Sequence, residues 1–362
     1  MRQKTVVALA IVTIPVALAA AFIPAGNGGE ANTGPRAELF PGLKDWIGSA
    51  TKLTVIGAGG KVELARKGGE AKTASEAAEG WVLPSKGSYP VPADKVRPIL
   101  TGLVALRQVE PKTAETKLYA RLEVDNPGAE SKSHEIELTK GDGANILKLV
   151  VGKKKYDPLG QGNDGIYVRK PGDPQTWLVR PAFEPPEDEL SWLDRHILDI
   201  DPAAINDVVV TPTNGKPFEV ARAAKDDKLQ IKDLPKDAKL KPRDVVSTLG
   251  GAFNALDLDD VEPAGSLTGQ PASVVHFTTF DGLDGTVKLY KDDGAWITIQ
   301  VKGTGDAAKQ ADEIAKRTGA WAYKIEDSRG GTFTTQLADA LQPPDKPAAA
   351  TPPAKAKAAT PG

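Results

Sequence analysis

The chain contains no cysteine. That absence excludes disulfide staples, a thiolate metal site, a cysteine nucleophile and a lipid-modified N-terminal cysteine. It fits an exported protein whose units are long enough to bury adequate cores without cross-links. An excess of one charge is also lacking: 46 basic and 48 acidic residues leave a formal charge of −2, and no basic block dominates a folded segment. Nucleic acid is therefore not an expected partner. Histidine is scarce. His134, His196 and His276 fall on three expected elements and form no HExxH pair, so no metal site is expected. No GxSxG marks a serine nucleophile on a sharp turn. With 48 acids, no particular carboxylate pair of glycosidase type stands out. No catalytic residue and no cofactor emerge, and the expectation is a protein that is not an enzyme.

Long apolar runs are absent beyond the N-terminus. After Met1-Arg2-Gln3-Lys4, residues 5–23 read TVVALAIVTIPVALAAAFI. As a helix these residues extend roughly 28 Å, close to the hydrocarbon thickness of about 30 Å. Residues 1–23 are read as a membrane anchor, with a cleaved signal segment as the alternative because Ala19-Ala20-Ala21 suits a signal peptidase. In either case the leading positive charges stay in the cytoplasm. The expected location is the bacterial inner membrane, single-pass, with the body in the periplasm. Residues 24–51 serve as linker and lead-in. Residues 343–362, almost entirely Pro, Ala, Lys and Thr, form a tail expected to be disordered.

The remaining chain is written twice. Residues 134–152, HEIELTKGDGANILKLVVG, align without a gap to residues 285–303, GTVKLYKDDGAWITIQVKG. Val109-Glu110-Pro111 recurs as Val261-Glu262-Pro263, and Val96, Ile99, Leu103, Leu106 recur as Val246, Leu249, Phe253, Leu256. Two units follow, 52–185 and 205–342. Each opens with a hairpin, around Gly57-Ala58-Gly59-Gly60 and around Pro212-Thr213-Asn214-Gly215. A third strand and one amphipathic helix come next, the helices starting near Pro92-Ala93-Asp94 and Lys241-Pro242-Arg243-Asp244. Strands return and close each unit at Trp177-Leu178-Val179 and at Thr332-Phe333-Thr334, while residues 67–80 read as a long exposed loop. The expected fold class is α+β, a tandem duplication of a mostly antiparallel sheet unit with one packed amphipathic helix per unit. Between the units, residues 186–204 place Leu190, Leu193, Ile197 and Ile200 at helical spacing and read as a connecting helix.

Several short patterns have a sharper and a blander reading. Gly57-Ala58-Gly59-Gly60-Lys61 lacks the GxxxxGK[ST] spacing and precedes a strand, so it reads as a hairpin turn and not a phosphate loop. Asp281, Asp284 and Asp292-Asp293 do not reproduce calcium-loop spacing and read as turn residues. Trp192, Asp194 and Arg195 form the candidate interaction cluster. They are either anchors for a protein partner or the means by which the connecting segment packs between the repeats. Trp81, Trp177, Trp296 and Trp321 read as fillers of core or sheet faces.

The single N-terminal span, the repeated strand, hairpin, Trp and helix order, Tyr167-Val168-Arg169, and above all Trp192-Leu193-Asp194-Arg195 resemble the bacterial domain-of-unknown-function family numbered 4340 over residues 52–341. The resemblance implies an exported, membrane-anchored protein and a partner among ABC transporters of the gliding-motility type. It implies no activity. The expected function is a non-enzymatic accessory or interaction protein of an envelope complex containing an ABC transporter. The alternatives are a module binding envelope polysaccharide or peptidoglycan, and an uncharacterised hydrolase. Exposed tryptophans in a groove favour the binding module, a buried Trp192 beside a flat face favours the protein partner, and convergent carboxylates or histidines in a cleft would favour the hydrolase.

Overall fold

Buried and outward-facing side chains alternate along the strands Phe218–Ala221, Ser273–Thr279, Leu283–Lys291 and Ala295–Gly303, and this alternation decides which face of their sheet meets the core. The computed structural model describes residues 36–241 and 245–342. The expected anchor (5–23), residues 242–244 at the expected second helix start, and the tail (343–362) lie outside the described residues. Among the described residues no helix is long and apolar enough to cross a membrane.

The first half contributes β1 (Lys52–Gly57), β2 (Gly60–Arg66), β3 (Trp81–Leu83), β4 (Tyr89–Pro90), β5 (Arg107–Pro111), β6 (His134–Thr139), β7 (Asn145–Lys155), β8 (Gly165–Arg169) and β9 (Thr176–Arg180). The second contributes β10 (His196–Leu198), β11 (Ile205–Pro212), β12 (Phe218–Ala221), β13 (Gln230–Ile231), β14 (Leu256–Asp257), β15 (Asp260–Pro263), β16 (Ser273–Thr279), β17 (Leu283–Lys291), β18 (Ala295–Gly303) and β19 (Trp321–Ile325). The strand order is β4-β3-β2-β1-β6-β7-β8-β9-β5 in one sheet and β13-β12-β11-β16-β17-β18-β19-β15 in the other, with β10 and β14 as a separate pair. Every pairing between these strands is antiparallel. The architecture is thus α+β with mostly antiparallel sheets. By place in the sheet, β6 and β7 stand where β16 and β17 stand. The ungapped match of residues 134–152 to 285–303 therefore sets β6–β7 against β17–β18, one strand out of step.

One apolar cluster runs through both halves. Leu53 and Val55 of β1 and Ile136 and Leu138 of β6 line it on one side, and Val275 and Phe277 of β16 with Val287 and Leu289 of β17 on the other. The helix Ala93–Ala105 buries Val96, Ile99, Leu100 and Leu103 on a single stripe, and Pro98 falls on its exposed side. Its counterpart is shorter, Val245–Gly250, because Gly250-Gly251 ends it, although Leu249, Phe253 and Leu256 remain buried as their spacing requires.

Three expectations are corrected. The connecting segment is not a helix: it is a 3₁₀ turn, Leu190–Trp192, followed by β10. Asp188 accepts from the Ser191 amide at 2.9 Å and Asp194 from the His196 amide at 3.0 Å, local bonds that compete with helix continuation. Thr332-Phe333-Thr334 is not a strand; the helix Asp327–Thr332 ends there and seats Phe333 5.6 Å from Phe253. Residues 67–80 are not uniformly exposed, because the 3₁₀ turn Glu76–Ala78 buries Ala77 and Ala78 and the Trp81 indole donates to the Ala77 carbonyl at 2.6 Å. A helix not anticipated from the sequence, Ala308–Thr318, lays Ala311, Ile314 and Thr318 inward; small and apolar positions at helical spacing between charged residues do mark this stripe.

The halves meet where the segment before β4 crosses β15 and β19. The Tyr89 ring stands edge-on to Trp321 at 4.8 Å and to Tyr323 at 6.4 Å. Lys86 lies 2.8 Å from Asp260 and 3.6 Å from Glu189. Gly87 has φ +65°, and a Cβ there would fall 2.4 Å from the Pro263 ring. Gly87→Ala is expected to cost about 2–4 kcal/mol in urea unfolding, combining backbone strain with overpacking. Gly143→Ala has positive φ but open space and should cost about 1 kcal/mol. Equal losses in the two variants would contradict a steric clamp at Gly87.

Candidate binding site

The three residues singled out from the sequence do not form a surface together. Trp192 is fully buried within the shared core, and its indole N–H has no partner among the described residues. Asp194 caps the His196 amide. Arg195 donates through Nε to the Leu258 carbonyl at 3.0 Å and through a terminal nitrogen to Asp259 at 3.1 Å, fastening the connecting segment to the start of β15. Of the two readings of this cluster, the geometry is that of packing and attachment. Trp192→Ala should lower unfolding free energy by about 3–5 kcal/mol. Arg195→Ala, whose ion pair is half-exposed, should cost less than about 1 kcal/mol. Thermal and urea melts measure both, and a fully stable Trp192→Ala would remove it from the core.

The histidines are dispersed. His134 pairs with Glu187 at 3.1 Å, His196 with Asp257 at 3.1 Å and His276 with Asp284 at 3.0 Å. Among the described residues no group of three His, Asp or Glu side chains is disposed to hold a metal ion. Three of the four aspartates weighed for calcium have separate partners: Asp281 receives the Thr279 hydroxyl, Asp284 faces His276, and Asp293 reaches Lys324 at 3.3 Å. Gly57 and Gly60 pair across the β1–β2 turn, as a hairpin requires.

A carboxyl on β11 has an unusual environment. Asp207 is half-buried, and burial, followed by the hydrogen bond and charge of Glu219, pushes its pKa up to about 6. Glu219 itself is lowered, chiefly by its bond to Lys232. The folded chain thus holds a proton on Asp207 more tightly than the unfolded chain does, so this group's contribution to stability falls as pH rises from about 4 to 6. Asp207→Asn should raise stability at neutral pH and flatten the profile in that window. A profile unchanged between the two proteins would remove Asp207 as its source.

The strongest binding geometry lies in the lead-in, which the sequence left without an assigned element. Gly42, at φ +76°, turns the chain into the one-turn helix Leu43–Trp46. Leu43 is buried and fixes that turn, which leaves Trp46 on the outer side, 56% exposed. Opposite stand two hairpin corners. In the β6–β7 corner, Lys140 and Ala144 are bridged at 2.9 Å and Asp142 caps the Ala144 amide. In the β8–β9 corner the Asp173 amide donates to the Lys170 carbonyl at 3.0 Å. Lys140 Nζ sits 4.2 Å from the Trp46 ring centroid and Lys170 Nζ 4.7 Å from that of Phe40. Neither ammonium has a carboxylate within 4.0 Å among the described residues. Pro41, Asn145 and Ile146 complete a cavity of about 360 Å³. A flat ligand face can lie on the part of Trp46 that Lys140 leaves open, while an anionic or hydroxylated edge meets Lys140, Lys170 and the Asn145 amide. The available signal in the sequence was Phe40 and Trp46 flanking a Pro41-Gly42 turn, which is too short for periodicity to register.

Family comparison bears on the remainder of the chain. The domain of unknown function DUF4340 matches residues 81–272, 192 of the 362 residues. The chain belongs to the DUF4340 family. The DUF4340 match takes in Lys140, Asn145, Ile146, Lys170 and the Trp192–Arg195 segment, whereas Phe40 and Trp46 precede it. No curated protein and no solved structure matches the chain.

Proposed function

We propose that this DUF4340 protein is a non-enzymatic binding protein of the bacterial envelope, tethered to the inner membrane through residues 5–23, with its body in the periplasm. Its groove takes an envelope polysaccharide or peptidoglycan strand. The exposed indole of Trp46 beside two lysines that have no carboxylate partner among the described residues carries this reading. We also infer that the halves are a tandem duplication, each carrying a packed helix at the same step of the chain, with Ala308–Thr318 an addition of the second half. The support is the common strand order and the placement of helices Ala93–Ala105 and Val245–Gly250 at the same step of the chain path.

A second reading, an accessory subunit of an envelope complex with an ABC transporter as partner, draws support from the outer face of the second sheet. Tyr290 and Trp296 form a half-exposed cross-strand pair there. Co-sedimentation of the detergent-solubilised full chain with purified cell-wall sacculi separates the readings. The wild type should pellet, and Trp46→Ala should weaken binding about 3–10-fold, the loss of one aromatic contact of about 0.5–1.5 kcal/mol, with its melt unchanged. No sedimentation, or sedimentation indifferent to Trp46→Ala, would refute the groove as the site.

A further inference from the structure

The two sheets differ most in one hairpin. In the second sheet β17 and β18 are joined by residues 292–294, but in the first, β7 runs on for eleven residues and β8 follows only after residues 156–164. The tip of this arm carries the two most exposed large apolar side chains among the described residues, Tyr156 at 70% and Leu159 at 75%. Its stem reads Lys153-Lys154-Lys155. Lys154 is bound to Glu184, while Lys153 and Lys155 are exposed and have no carboxylate within 4.0 Å among the described residues.

The tip is held in one shape. The Asp157 carboxylate accepts the amides of Leu159, Gln161 and Asn163 at 3.1, 3.0 and 3.3 Å, and Asp164 accepts the Asp157 amide at 2.7 Å. The acidic charge at the tip is thereby directed into its own loop, and Tyr156 and Leu159 are presented without a further ordering cost. The chain path matters as well. Glu38, which follows the linker, bridges to Arg107; Arg107 pairs with Arg180; and Arg180 reaches the Asn163 side chain at 3.3 Å. The start of the body and the arm tip therefore share one end of the first sheet.

We propose that the β7–β8 arm is a membrane-contact element: Tyr156 and Leu159 enter the interfacial layer of a bilayer, with Lys153 and Lys155 against its anionic headgroups. This rests on the tether reading above and adds a second point of contact that sets the body's orientation. Lack of native cysteine permits a single reporter, Gln161→Cys with an environment-sensitive fluorophore, in full-length protein reconstituted into vesicles of phosphatidylethanolamine and phosphatidylglycerol. The expected result is stronger quenching by brominated lipid than by aqueous iodide, reduced about threefold or more by Tyr156→Ser with Leu159→Ser, or by Lys153→Glu with Lys155→Glu. A reporter at Asp292→Cys on the β17–β18 turn should be quenched by iodide alone. A chain that floats with vesicles while its residue-161 reporter is quenched only by iodide, or is shielded from both quenchers by protein, overturns the arm proposal and leaves the tether standing. A chain that does not float overturns both.

Discussion

The contact of Tyr89 with Trp321 and Tyr323 is the joint on which the body depends. It adds an edge-on aromatic contact to the apolar cluster that the two halves share. With it, a short segment of the first half is wedged against the last strands of the second, and Gly87 permits the approach because no side chain separates it from Pro263. The joint is also electrostatically set. Burial pulls the Lys86 pKa down, but the hydrogen bond and charge of Asp260 and the nearby Glu189 outweigh it and raise the value. Burial, the largest cause for each, pushes both tyrosine hydroxyls upward, and for Tyr323 the neighbouring Tyr89 adds to it, so they remain neutral at any physiological pH. Trp192 lies in the same continuous core, which places the most recognisable motif of the sequence in the packing of the connecting segment.

The groove at Trp46 is assembled from a lead-in turn and two hairpin corners of the first sheet, and its lysines are fixed only as well as those corners are. Capping of the Ala144 amide by Asp142 and burial of Leu43 hold the two walls at a spacing the ligand need not impose. Preorganised walls bind weakly interacting, repetitive ligands better than mobile ones, because less ordering is lost on contact.

Much of the fold was legible in the sequence for a simple reason. Strands such as β12, β16 and β17 bury alternate residues, and alternate apolar positions announce that directly. The hairpins at Gly57–Gly60 and Asn214-Gly215 were legible because turn chemistry is local. What failed was non-local or ambiguous. Leu190, Leu193 and Ile197 have helical spacing, yet Asp188 and Asp194 bond to nearby amides and Ile197 enters a two-stranded ladder with β14. The repeat was visible as similar words, but those words fall on strands one place apart in the sheets, because alternating strands with a Lys-Asp-Gly turn resemble one another wherever they occur. The candidate site was the least legible part: Trp46, Lys140 and Lys170 lie far apart in the sequence, and only sheet closure brings them together.

The central claim is that the Trp46 groove receives an envelope glycan. The most direct measurement is a crystal structure of the full chain soaked with an acidic cell-wall glycan fragment. The account predicts a sugar ring stacked on the Trp46 indole, with its carboxylate within hydrogen-bond reach of Lys140 or Lys170. Fragment density confined to another surface, or an empty groove at saturating fragment, would contradict it.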